Sequence, residues 1–145
     1  MPEQLTRLAA VLRATPKIEQ RELRKSMQRA ARPLLKTARQ GALQILPYRG
    51  GLAERVAAGR FTSQVSFSGD HTGIRITAAD RRGADVNRMD DGSVRHPVYG
   101  NRRRWVTQAI RPGWFSEPLL LDAPKVRDEI EKALDTTAAT MVSAV

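Results

Sequence analysis

The chain has 145 residues, 41 % of them hydrophobic against roughly 45–50 % in an average globular chain, so length and composition call for one domain with a modest core. It has no cysteine, which excludes disulfides, zinc–thiolate sites, iron–sulfur clusters and cysteine nucleophiles. Its 25 basic and 15 acidic residues give +10, unevenly spread: 11 basic and 3 acidic over residues 1–49, 10 and 6 over 50–110, 4 and 6 over 111–145.

Leu5, Leu8, Ala9 and Leu12 recur at i, i+3, i+4, i+7 and predict a short amphipathic helix over residues 3–14. Thr15 and Pro16 then form a restart, with Thr15 as N-cap and Pro16 in the first helical position. Ile18, Leu23, Met27, Ala30, Ala31, Leu34, Leu35, Ala38, Ala42, Ile45 and Leu46 follow at helical spacing, opposite Arg21, Arg24, Lys25, Arg29, Arg32, Lys36 and Arg39. This predicts a helix of roughly 30 residues, kinked or broken at Pro33 and ended by Pro47. Tyr48–Gly51 reads as a turn, and Leu52–Gly59 fits a short helix or a strand equally well.

Phe61 with Gln64–Phe67, and then Ile74–Thr77, alternate apolar and polar residues and predict a hairpin turning through residues 68–73. Residues 79–94 are polar and without period. They are expected to form a long surface loop in which Asp80, Asp85, Asp90 and Asp91 are solvated among Arg81, Arg82 and Arg88. A third strand is expected over Val94–Tyr99, and a fourth is supplied by Trp105, Val106 and Ile110. Ser116–Leu121 reads as a helical turn. Asp122 then caps a final helix with Val126, Ile130, Leu134, Ala138, Met141 and Val145 on its apolar face. The order of elements predicts a single α+β domain over residues 1–145: a long N-terminal helix and a C-terminal helix packed on a small antiparallel sheet.

The chemistry-bearing residues do not form an enzyme's pattern. His71 and His96 each lack a metal-ligating neighbour one helical turn away, the aspartates of residues 80–91 do not match a calcium loop, and no phosphate-cradling glycine motif follows a strand. No catalytic residue, metal ligand or cofactor is expected. No apolar run approaches the ~20 residues that cross a bilayer, and the opening residues lack the order of a signal peptide, so a soluble cytoplasmic protein without membrane contact is expected. Two basic clusters remain as candidate partner interfaces: Arg24, Arg29 and Arg32 on the long helix, and Arg102, Arg103 and Arg104 beside Trp105. Tyr99, Gly100, Trp105, Trp114 and Phe115 gather most of the aromatic content and are expected to anchor the chain between sheet and final helix.

Three short elements occur in a telling order: Pro47-Tyr-Arg-Gly-Gly51-Leu52 after the basic helix, then His96-Pro97-Val98-Tyr99-Gly100-Asn101, then Arg111-Pro112-Gly113-Trp114-Phe115 opening the last helix. From about residue 15 onward this resembles the tail-completion, or neck, proteins of long-tailed double-stranded DNA bacteriophages, the relatives of minor tail protein Z. The resemblance implies a structural virion protein rather than an enzyme. It would be made in the host cytoplasm and built into the neck, where it joins the head-closure protein to the tail terminator. It further implies a homo-oligomeric ring around the DNA channel, with a hexamer as candidate stoichiometry and non-specific proximity to DNA. The residues themselves leave open a small basic nucleic-acid-binding protein of a high-GC bacterium and, behind it, a toxin–antitoxin type partner.

Overall fold

The computed structural model describes residues 13–67 and 73–143. The helix expected over residues 3–14, His71 and Val145 lie essentially outside them. The fold is α+β, with two long helices and two small antiparallel sheets. In chain order these are α1 (Lys17–Ile45), a 3₁₀ turn (Arg49–Gly51), α2 (Leu52–Ala57), β1 (Arg60–Ser66), β2 (Gly73–Ala79), α3 (Val86–Asp90), β3 (Ser93–Val98), β4 (Asn101–Ala109) and α4 (Ser116–Ser143). The expected single sheet is two: β1 pairs with β2, and β3 with β4.

The chain divides into two compact units, a finer division than the single domain expected from its length. One comprises the described residues of Met1–Pro33, Ser63–Ile76 and Ala123–Val145; the other comprises Leu34–Thr62 and Thr77–Asp122. Each has its own apolar cluster. In the first, Leu23 and Met27 of α1 meet Val65, with Phe67, Ile74, Ile130, Ala133 and Leu134 around them. In the second, Ala38, Ala42 and Leu46 meet Ala53, Val56, Phe61, Val86, Met89, Val94 and Trp114.

α1 buries Leu23, Met27, Ala31, Leu34, Ala38, Ala42 and Leu46, a spacing of three and four residues that keeps one stripe inward for the whole helix. Ile18, expected on that stripe, is exposed. Pro16 is not the first helical residue, because its carbonyl accepts from the Gln20 N–H; it stands one place earlier, in the capping position. The helix is not broken at Pro33, which sits inside it. Proline removes one N–H from the ladder, but Arg29 and Pro33 are exposed, so water can serve the freed carbonyl while Ala31 and Leu34 stay buried. The expected break before Asp122 is likewise absent. α4 runs through Pro124, and Asp122 is no cap: its carboxylate accepts from the Thr37 hydroxyl at 2.6 Å.

Residues 79–94 are not a solvated loop. Asp85 caps α3 by accepting the Arg88 N–H at 3.1 Å, and the i, i+3 pair Val86 and Met89 enters the second cluster. The Asp80 side chain is 1 % exposed; it accepts the Ala84 N–H at 3.1 Å and faces the Arg55 guanidinium at 3.6 Å. Asp90 reaches across 25 residues of sequence to accept the N–H groups of Phe115 and Ser116, at 2.9 and 3.0 Å, and so caps α4. These aspartates were expected in solvent because their sequence neighbours are charged. In the fold Asp85 and Asp90 take the N–H groups of helix starts, Asp80 takes a loop N–H beside Arg55, and Asp91 is exposed.

Candidate functional site

The β3–β4 ribbon presents its surface to solvent along most of its length. Val94 alone is buried within it, at the base, while every residue of β4 is exposed. The register pairs Ser93 with Ala109, Val94 with Gln108, Arg95 with Thr107, His96 with Val106 and Pro97 with Trp105, then jumps to Val98 with Asn101. Arg102, Arg103 and Arg104 therefore have no opposite number in β3. They form a bulge that spans the whole arginine triplet.

Two short bonds shape the bulge. The Trp105 indole N–H donates to the Arg102 carbonyl at 2.7 Å, and the Asn101 side-chain oxygen accepts the Arg103 N–H at 3.0 Å. The Arg95 guanidinium lies 5.3 Å from the Trp105 ring centroid, covering one of its faces. Residues 93–109 contain four arginines and no acidic residue. At the tip, Val98 and Asn101 are joined by the two-residue turn Tyr99-Gly100, with φ of 47° and 76°. Both positive angles match the primed turn that a right-twisted hairpin demands, and glycine suits its position.

The expected aromatic anchor thus separates into two groups. Trp114 is 0 % exposed, its indole N–H donates to the Val86 carbonyl at 3.3 Å, and its ring packs edge-on to Phe61 and tilted against Phe115. Phe115 is half-buried against the same cluster. Tyr99 is 104 % exposed, Gly100 is exposed, and Trp105 is 46 % exposed. These three anchor nothing in the core, because the ribbon carries them away from it; Trp105 instead holds the bulge closed.

The two basic clusters also separate. Arg24 is committed internally: it donates to the Val65 carbonyl and lies 4.8 Å over the Phe67 ring. Arg39 does the same with the Ala57 carbonyl and the Phe61 ring. Arg29 and Arg32 are exposed and make no side-chain hydrogen bond or ion pair among the described residues, and the same holds for Arg102, Arg103 and Arg104. On α4, Lys132 bonds Glu129 at 2.9 Å, and this hydrogen bond, then the charge of Glu129, holds its ammonium above the ordinary lysine range. Among the described residues no group of three or more His, Asp or Glu is placed to hold a metal ion, and no helix is long and apolar enough to cross a membrane. His96 lies half-buried on β3.

No protein-family model, curated protein or solved structure matches the chain.

Proposed function

We propose that the chain is a non-catalytic assembly subunit of a long-tailed phage neck, packed head to tail into a ring that joins the head-closure protein to the tail terminator. The observation that carries the reading is complementary charge on two exposed helix faces. Arg21, Arg29 and Arg32 are exposed on α1, and Asp128, Glu131 and Asp135 are exposed at i, i+3 and i+7 on α4. A patch that complements a different patch on the next copy makes a heterologous contact, and such contacts close into rings. Leu120 and Leu121, 72 % and 80 % exposed, give α4 an apolar surface for the same purpose. The subunit would be made in the host cytoplasm and finish in the virion.

The test is the double variant Arg29→Glu with Arg32→Glu in the phage that encodes the chain. Arg24 is left untouched because it holds β1. The isolated protein should melt normally, since exposed charges contribute only about 0–1 kcal/mol each. Electron microscopy should show DNA-filled heads and finished tails left unattached. Normal infectious particles from the double variant would refute the reading.

A further inference from the structure

We infer that the β3–β4 ribbon is a duplex-DNA contact arm, with the Arg102–Arg104 bulge gripping the phosphate backbone independently of base sequence. The inference does not rest on the neck reading. It rests on how the ribbon is built. An exposed two-stranded ribbon gains little by burial, and an edge strand is blunted by charges, proline or a bulge. Here three consecutive arginines are lifted out of the ladder, and two hydrogen bonds, from the Trp105 indole and to the Asn101 side chain, hold the backbone that carries them. Fixing the bulge lowers the ordering cost of binding and gives three guanidinium forks to successive anions.

The tip breaks a local rule. Tyr99 occupies the left-handed region at φ 47°, where asparagine or glycine is favoured, and its fully exposed ring repays none of that strain by packing. A side chain held at such a cost with no internal contact is placed for an external one.

The partner's chemistry follows from charge and shape. Four arginines without an acidic residue among residues 93–109 complement a polyanion. A single strand is the poorer fit, because such strands bind on a succession of free aromatic faces, and Arg95 already covers one face of Trp105. A two-stranded ribbon, its strands about 4.8 Å apart, enters a major groove about 12 Å wide and so reaches the flanking phosphates.

The experiment uses the purified full chain and fluorescence anisotropy with a random-sequence 20-base-pair duplex across a salt series. Wild type should bind with a salt slope that drops by about 2–3 in the Arg102→Gln, Arg103→Gln, Arg104→Gln variant, and its affinity should fall about tenfold or more at low salt. Trp105→Phe keeps an aromatic ring, though a smaller one, and all the charges but loses the indole N–H; it should weaken binding about fivefold with little change in slope. Arg29→Gln with Arg32→Gln should bind like wild type. Circular dichroism should show all variants folded, because the substituted groups are exposed. No duplex binding by wild type would overturn the inference. So would a triple variant that binds as well as wild type, an equal loss in the α1 double variant, or a preference for single-stranded DNA, polyglutamate or phosphatidylglycerol vesicles.

Discussion

Trp114 holds the second core from the inside: Phe61, Phe115 and the Val86 carbonyl all meet its ring. Trp114→Ala should cost about 3–5 kcal/mol in chemical denaturation, from lost burial and an unfilled cavity. Gly41 is the other side of the same fit. A Cβ there would lie 2.3 Å from the Trp114 carbonyl oxygen and 2.8 Å from Pro118 Cγ. In an open helix Gly→Ala would gain about 1 kcal/mol. Here the backbone contact decides the sign, and Gly41→Ala should destabilise by about 1–3 kcal/mol. Asp90→Ala leaves the Phe115 and Ser116 N–H groups without their acceptor and should cost about 1–2 kcal/mol, read by urea melts.

At the scale of elements, prolines and short segments decide what periodicity can show. Long stripes are legible because many residues agree: the buried spacing of α1 and the alternation of β1 and β2 both follow from the sequence. α3 is not legible, because one turn offers only Val86 and Met89 as its signal and the surrounding aspartates mask it. Asp90 and the Asp80–Arg55 pair are illegible for another reason, since they depend on parts of the chain brought together only by folding. The bulge is hidden in the same way: Arg102–Arg104 are visible as a basic cluster, but their separation from the ladder comes from a register that composition does not encode. Pro33 and Pro124 stay inside helices: the residues four places earlier, Arg29 and Leu120, are exposed, so water can serve the freed carbonyls. Pro33→Ala should therefore restore a ladder bond and stabilise the protein by about 1–3 kcal/mol, seen as a higher melting temperature.

At the scale of the molecule, the two apolar clusters share no residue. Leu23 serves the first and Trp114 the second, so the losses from Leu23→Ala and Trp114→Ala should add to within about 0.5 kcal/mol in the double variant. Denaturation of the two single variants and the double variant checks this, and a large coupling term would show that the two cores repack together. Charge is divided in a comparable way. Arg24, Arg39 and Arg55 are bound into the fold, whereas Arg29, Arg32 and Arg102–Arg104 are exposed and make no side-chain hydrogen bond or ion pair among the described residues.

The looped-out triplet also marks where the folded chain is open to nicking. A trypsin-like protease needs a basic residue on accessible backbone; residues 102–104 are exposed and unpaired with β3, and opening the two local bonds, from the Trp105 indole and to the Asn101 side chain, frees them. Brief digestion should cut there and divide the chain near its last third. The two pieces should stay together through the second cluster, since Val94 and Trp114 lie on opposite sides of the cut and both belong to it.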